Sequence, residues 1–330
     1  MKKKIALVTG GFSGESVVSY KSAKTIQDNL DLDKYDVYLI DINPNGWYYI
    51  QGDEKISVDK NDFSITVNNQ KIVFDAVLIG MHGTPGEDGK LQGYFDFLGI
   101  PYTGCNSATA SLTFNKRYTV AVAKMAGIGV ANSVHLFKGI DYSIDEIVSQ
   151  LKFPIFVKPN AGGSSIGMSK VFNSDELPAA IEKAFNEDNQ VLLEQMVHGR
   201  EFTIGVYKNN NEIIVLPITE VKADEDKTFF DFEAKYEGKS KEITPAEMDK
   251  AIQERLEQAA KKIYMVFNCG GVVRIDFIYN DEEQKPYMLE INTIPGQSAA
   301  SIVPQQVKAS GGNLKDFYSN LLNECFNKIK

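Results

Sequence analysis

Between residues 272 and 296 two short apolar runs carry polar groups at alternate positions. Arg274 and Asp276 are two apart in the first, and Glu290 and Asn292 are two apart in the second. On an extended strand residues i and i+2 project from one face, so each pair shares a face. The polar stretch 280–285 between the runs has the length of a hairpin turn. Pairing Asp276 with Glu290 across it would set Tyr279 opposite Tyr287 and bring all four polar groups together. Two carboxylates and an amide oxygen are hard donors of the kind magnesium takes, usually alongside substrate phosphates. The same spacing also suits a solvent-facing polar sheet with an internal Arg–Asp ion pair, and the hairpin alone leaves both readings open.

Upstream, Lys158 precedes the turn Gly162-Gly163-Ser164-Ser165-Ile166-Gly167. Successive backbone N–H groups in such a turn can point at phosphate oxygens, and glycine lets the chain approach closely. Gly162 and Gly167 have the spacing of a P-loop, but Met168-Ser169 stands where Lys-Ser/Thr is required. By itself the turn fits an ordinary glycine hairpin. A lysine before it and the acidic set downstream shift the balance toward a nucleotide-phosphate site.

The elements that must position these groups follow from periodicity. Apolar runs at 3–8, 35–42 and 75–80 end near glycine or proline, and Val17, Ala23, Ile26 and Leu30 give an intervening segment one apolar helical face. Residues 45–72 form a hairpin-like excursion with Asn68-Asn69 at a turn. Strand–helix–strand order with glycines after the strands predicts a parallel, doubly wound α/β sheet with ligands at the strands' carboxyl ends. A boundary is expected near 99–104. Beyond it the spacing predicts a helix over 111–126 stopped by Gly127, then strands at 153–158, 168–172 and 191–195. Strands at 201–207 and 212–218 are joined by Lys208 and three asparagines, a hairpin signal. Residues 222–242 carry many charges and four aromatics with no clean period, the mark of a functional loop. Thr244-Pro245-Ala246-Glu247 has both ends of a capping box and a proline, predicting a helix from there to about Phe267.

One core stops growing at roughly 250–300 residues, so a chain of 330 residues is expected to form two or three lobes, here placed at 1–104, 105–193 and 194–330. Its 43% apolar content excludes a mainly disordered chain, and no run is long enough to span a membrane. The 35 Lys and Arg against 44 Asp and Glu, a formal net charge of −9, argue against a dedicated nucleic-acid binder. A local basic site for a small anion remains compatible with that charge. Cys105, Cys269 and Cys325 make no CxxC pair, and His82, His135 and His198 have no HxxxH spacing, so a reduced cytoplasmic protein without a zinc site is expected. Lysines 2–4 precede an apolar run, residues 5–8, that is too short for a signal peptide.

Lys158 with Gly-Gly-Ser-Ser-x-Gly, Glu194 to Glu201, Arg274-x-Asp276 and Glu290-x-Asn292-x-x-x-Gly296 resemble the motifs of ATP-grasp enzymes. Gly10-Gly11-x-Ser13-x-Glu15, His82-Gly83-x-x-Gly86-Glu87-Asp88-Gly89 and Glu233-Ala234-Lys235-Tyr236 narrow the likeness. Along essentially its whole length the chain resembles the D-alanine–D-alanine ligase family. The resemblance implies an α/β protein with a Rossmann-like N-terminal domain followed by a two-lobed ATP-grasp fold. It further implies ATP-dependent joining of two D-alanines through an acylphosphate, for peptidoglycan precursors of the cell wall. The implied setting is a cytoplasmic homodimer with no nucleic-acid or membrane partner, using two magnesium ions for which manganese can substitute.

Residue by residue, the resemblance assigns Lys116, Lys158, Ser165, Glu194, Val197 and Glu201 to ATP, and Asp276, Glu290 and Asn292 to magnesium. It gives Arg274 and the amide of Gly296 to the oxyanion, Glu15 and His82 to the first D-alanine, and Lys235, Ser301 and Ile302 to the second. Tyr236 would link to Ser164 and Glu15 as the 222–242 loop closes and excludes water. Phe230 and Phe232 stand where relatives carry tyrosine, Gln195 where many carry lysine, and Ile302 where leucine is usual. Outside the motifs, Glu15 reads better as a charge at a helix start, His82 as a loop histidine and Lys116 as a solvated helix residue. Tyr236 favours an amine nucleophile and a dipeptide product. D-serine or D-lactate as second substrate is the alternative, D-serine because an added hydroxyl is hard to reject by shape alone. Retention of Arg274, Asp276, Glu290, Asn292 and Gly296 argues against a non-catalytic nucleotide-binding module.

Overall fold

The chain lays its strands into sheets that meet around one cleft. The computed structural model describes residues 2–163, 166–223 and 240–327, and the counts below refer to these. In the first of three sheets Lys3–Gly10 runs parallel to Tyr35–Asn43 on one side and Ala76–Ile79 on the other. Ile5 to Val8 are wholly buried, as a central parallel strand covered on both faces must be. The helices Ser16–Asn29 and Leu314–Asn327 pack on one face through Ala23, Ile26, Phe317 and Leu321, and Lys90–Leu98 covers the other through Leu91 and Phe95.

The parallel core is three strands wide, and residues 45–72 extend it with four antiparallel strands, Gly46–Gln51, Glu54–Asp59, Ser64–Val67 and Gln70–Ile72. Asn68 and Asn69 sit at φ 50° and 60° between the last two, the two-residue turn that favours asparagine. Trp47 packs edge-on against Phe63 and Tyr94 there. One expectation fails in the helix Ser16–Asn29, where Val17 is 59% exposed. The buried stripe is Ser19, Ser22, Ala23 and Ile26, a helical face in which two hydrogen-bonded serines take positions that an apolar count overlooks.

The second sheet is antiparallel, with Ser169–Val171, Ile155–Pro159, Gln190–Gln195 and Ser133–Phe137 in that order. The helix expected over 111–126 is two helices, Ser107–Phe114 and Lys116–Met125. Asn115 between them is extended (φ −91°, ψ 103°), and its side chain accepts from the Tyr118 amide. Asparagine competes for the backbone in this way and so starts helices better than it continues them. The break puts Lys116 on the first residue of a helix.

The third sheet is also antiparallel. Ser240–Ile243, Thr219–Ala223, Arg200–Asn209, Val272–Asn280 and Lys285–Asn292 follow one another, with Glu212–Val215 paired to the far half of Arg200–Asn209. Asn210 and Asn211 close that hairpin at φ 48° and 68°. The helix Lys250–Val266 lays Leu256, Ala260 and Ile263 against Phe202, Ile204, Ile275 and Phe277. Burying each of the leucine, isoleucine and phenylalanine side chains contributes about 1.5–3 kcal/mol. The helix begins at Lys250 rather than at Thr244. Thr244 spends its hydroxyl on Thr219 (2.6 Å), and the Ala246 amide bonds the Ile218 carbonyl (2.8 Å), so this stretch is held to the sheet instead of capping a helix. With Phe202 and Ile204 turned to the helix, Glu201 and Thr203 must project from the opposite face.

The three cysteines are buried, and among the described residues none forms a disulfide. Among the described residues no helix is long and apolar enough to cross a membrane. Of the loop expected over 222–242, residues 224–239 lie outside the described residues, as do Ser164 and Ser165.

Candidate active site

The face opposite Lys250–Val266 carries the chemistry. Arg200–Asn209 pairs Thr203 with Asp276, and Val272–Asn280 in turn pairs Asp276 with Glu290 and Arg274 with Asn292. The Arg274 guanidinium donates through Nε to Asp276 Oδ1 (2.9 Å) and through Nη2 to Oδ2 (2.8 Å), with Glu290 Oε1 3.7 Å from Nη2. This is the two-pronged geometry a guanidinium offers a carboxylate. Thr203 adds a third bond by donating its hydroxyl to Asp276 Oδ1. The expected pairing of Tyr279 with Tyr287 does not form. A bulge after Asp276 leaves Leu289 without a partner, so Ile278 faces Tyr287 and Tyr279 faces Pro286. Bulges re-aim side chains, and here Leu289 and Glu290 border the same cavity.

The second sheet supplies the cations. Lys158 forms an ion pair with Glu194 on the neighbouring strand. At the start of Lys116–Met125, the Lys116 amide bonds the Asn160 carbonyl (3.1 Å) and the Arg117 amide the Asn160 side chain (2.8 Å). The Lys116 ammonium donates to the Gly162 carbonyl at 2.7 Å. The lysine is thus fixed against the glycine turn.

The first sheet closes the cleft. Glu15 occupies the cap position of Ser16–Asn29, yet its carboxylate makes no capping bond. Ser13 donates to Glu15 Oε2 at 3.4 Å. A Cβ on Gly163 would lie 2.6 Å from Glu15 Oε1, and one on Gly83 would lie 2.5 Å from Oε2. Two loops therefore close on this carboxylate only because they present glycine. His82 is buried, with Nε2 2.8 Å from the Ser22 hydroxyl and Nδ1 3.9 Å from Glu87 Oε1. A Cβ on Gly296 would sit 2.7 Å from Ser301 Oγ, and Ser298 and Ser301 share a hydroxyl bond of 2.8 Å. Ser301 precedes the helix Ile302–Ala309 without a capping bond from its side chain, and the first amides of a helix have no partner within it.

These groups border two adjoining chambers. One of about 370 Å³ is lined by Glu15, His82, Arg274, Asn292, Gly296, Ser301 and Ile302. The other, about 480 Å³, is lined by Lys158, Glu194 and Val197. Lys116, Gly162, Gly163, Glu201, Asp276 and Glu290 line both. Every expected site residue that is described borders one chamber or the other. Ser164, Ser165, Lys235 and Tyr236, with Phe230 and Phe232, lie outside the described residues.

Further residues line the chambers as well, Thr203, Leu289 and Glu242 among them. Thr203 could have been found from its place two residues after Glu201. Leu289 could not, because a bulge has no sequence period. Glu242, opposite Val221 on the strand Ser240–Ile243, lines the smaller chamber and accepts from Gln305 at 3.3 Å. Burial holds its carboxyl above the ordinary carboxylate range, against smaller opposing pulls from Gln305 and Arg274.

Among the described residues no group of three His, Cys, Asp or Glu side chains stands ready as a metal cage. What Asp276, Glu290 and Asn292 offer is two carboxylates and an amide oxygen on adjacent strands at the junction of the chambers. Such a sparse set of hard oxygens fits a magnesium ion that completes its shell with water and phosphate oxygens.

Residues 4–105 match the family model of the D-ala D-ala ligase N-terminus, and residues 118–323 that of the D-ala D-ala ligase C-terminus. The D-alanine--D-alanine ligase of Flavobacterium johnsoniae is 46% identical, covering 97% of this chain and 98% of its own length. That of Phocaeicola vulgatus is 43% identical over 99% and 100%. Among solved structures, the VanG D-Ala:D-Ser ligase from Enterococcus faecalis superposes with a TM-score of 0.89 at 32% identity, over 98% of this chain and 100% of that one. The D-alanyl-alanine synthetase A of Vibrio cholerae gives 0.88 at 29%, over 98% of each. The two antiparallel sheets, with the cleft they share, define an ATP-grasp protein. Within that class the chain belongs to the D-alanine–D-alanine ligase family.

Proposed function

We propose that the protein joins two D-alanines into D-alanyl-D-alanine for cell-wall precursors, converting ATP to ADP and phosphate. The observation that carries this reading is the face shared by Arg274, Asp276, Glu290 and Asn292, which borders both the chamber holding Lys158 and the chamber holding Glu15. A carboxylate is a poor acyl donor and must be activated. One carboxylate oxygen of the first D-alanine attacks the γ-phosphorus of ATP, the bond to the β-phosphate oxygen breaks, and an acylphosphate and ADP result. The amine of the second D-alanine then attacks the acyl carbon, loses a proton, and inorganic phosphate departs.

In this reading Lys116 and Lys158 neutralise the triphosphate in the larger chamber, where Glu194, Val197 and Glu201 hold the nucleoside. Glu15 receives the ammonium of the first substrate, leaving its carboxylate free to react. Arg274 and the Gly296 amide face the oxyanion of the tetrahedral intermediate, a task suited to donors fixed in advance. Ser301 and the first turn of Ile302–Ala309 suit the carboxylate of the second substrate. Asp276, Glu290 and Asn292 would hold magnesium, two ions with manganese as a substitute, which supplies countercharge during phosphoryl transfer. Ser164, Ser165, Lys235 and Tyr236 keep the roles their motifs imply. A cytoplasmic homodimer completes the reading, supported by the family resemblance and tested by sedimentation of the purified chain.

Purified protein with ATP, magnesium and D-alanine is expected to release phosphate and dipeptide in equal amounts, and L-alanine to support neither. D-serine and D-lactate, offered with D-alanine, test the second site. ATP turnover only with another acid–amine pair, or ATP binding without turnover, overturns the reading.

A further inference from the structure

We propose that Ser22 is a positioning residue that sets the tautomer of His82, keeping the ring proton on Nδ1. Ser22 lies on the buried face of Ser16–Asn29 and is wholly shielded from solvent. Its hydroxyl accepts from the Gln297 amide at 3.0 Å and lies 2.8 Å from His82 Nε2. A hydroxyl has one proton to give. Among the described residues the only acceptor within hydrogen-bond reach of that proton is Nε2. Nε2 therefore accepts, and a neutral imidazole that accepts at Nε2 carries its proton on Nδ1. In the reverse arrangement Ser22 Oγ would receive two donors while its own proton met nothing, an unmade hydrogen bond in a site closed to water.

A second observation gives the same answer. Nδ1 faces Glu87 Oε1 at 3.9 Å. Glu87 Oε2 is held by the Gly83 amide at 2.9 Å, while Oε1 is buried and has no hydrogen-bond partner among the described residues. An N–H directed at that oxygen is favourable, whereas a bare Nδ1 would set one lone pair against another. Backbone contacts hold the parts in place, since the His82 amide donates to Ser19 Oγ at 2.9 Å.

The consequence rests on the proposed function. Glu15, His82 and Glu87 border the same chamber, so the proton on Nδ1 fixes the Glu87 carboxylate beside the acceptor that Glu15 offers the first substrate. Through the amide of Gln297, the residue after Gly296, the same hydroxyl also registers the oxyanion loop against this pocket.

The test is a long-range proton–nitrogen NMR spectrum of the full chain with labelled imidazoles, recorded near about pH 8, above the ordinary histidine range. The chain has three histidines, and His82→Gln identifies the signal of interest. Expected are a proton-bearing Nδ1 and a bare Nε2 for His82, with Ser22→Ala shifting the ring toward the other tautomer or a mixture. In steady state Ser22→Ala should raise KM for the first D-alanine roughly 3- to 10-fold, with a smaller change in kcat. A proton-bearing Nε2 in the unaltered protein, or a tautomer indifferent to Ser22→Ala, overturns the proposal. Should Ser22→Ala fail to fold, the spectrum of the unaltered protein decides alone. A chain that shows the Nδ1 proton yet makes no dipeptide supports the tautomer and overturns the functional reading.

Discussion

Arg274 has two tasks that can be separated at the scale of one residue. Its two-pronged bond restrains Asp276, which is 8% exposed, and its remaining surface faces the smaller chamber. Lysine keeps the charge but not the fork. In the proposed function Arg274 also faces the oxyanion, so Arg274→Lys is expected to lower kcat by about 100-fold or more, as loss of an oxyanion donor does, with little change in the denaturation midpoint. Arg274→Ala should add about 3 kcal/mol of destabilisation, because it leaves Asp276 as a shielded charge without its counter-ion. Equal midpoints for the two variants in a urea titration would refute this division. Glu290→Gln removes a charge without volume, and should cost far more in turnover than in stability; equal losses would mark Glu290 as structural. At this scale much was legible beforehand. The i, i+2 spacing of Arg274 with Asp276 and of Glu290 with Asn292 determined a shared face, whereas Leu289 reached the cleft through a bulge that no spacing announces.

The strand Arg200–Asn209 organises its neighbours, and an ion pair at one end fastens it to Thr219–Ala223. Arg200 Nε donates to Glu220 at 2.8 Å and Nη2 to the Glu247 carbonyl at 2.7 Å. The Arg200 guanidinium holds the Glu220 carboxyl below its ordinary range, against a smaller opposing effect of burial. A carboxyl lowered on folding stabilises the protein above its unfolded value, and that contribution fades as pH falls through the lower folded value. Glu220→Gln is expected to destabilise by about 1–2 kcal/mol at pH 7. The gap should narrow below about pH 4.5 and close once Glu220 is itself protonated, in the range where carboxylates titrate. Denaturation midpoints of both proteins measured from neutral to acid pH check this, and a constant gap would count against it. Elements were legible where one signal stood alone, as at the asparagine turns. They were misread where local chemistry competed with tertiary contacts. Thr244 had the look of a helix cap until Thr219 claimed its hydroxyl, and Asn115 split a helix whose apolar pattern ran straight through it.

At the scale of the whole molecule the cleft exists because three sheets meet, and that meeting has no local signature. Gly163 approaches the Glu15 carboxylate from a different sheet and far along the chain, a contact readable in the glycine's want of a side chain only once both loops are placed. Family likeness joined Glu15 to Arg274 in one site; spacing could not. The same geometry ties the two chambers together, since Lys116, Gly162, Gly163, Glu201, Asp276 and Glu290 form walls of both. A ligand in one chamber orders walls that a ligand in the other would otherwise have to order itself, and coupling of this kind is reciprocal. Saturation at a hundred times its dissociation constant lets a single ligand stabilise the folded state by about 2.7 kcal/mol. A non-hydrolysable ATP analogue with magnesium should therefore raise the melting temperature, and D-alanine should raise it slightly. Both together should exceed the sum of the separate shifts, and a chelator should strip away most of the nucleotide's share. Shifts that merely add would mean that the shared walls are rigid before any ligand arrives, and that nucleotide and amino acid bind as independent neighbours.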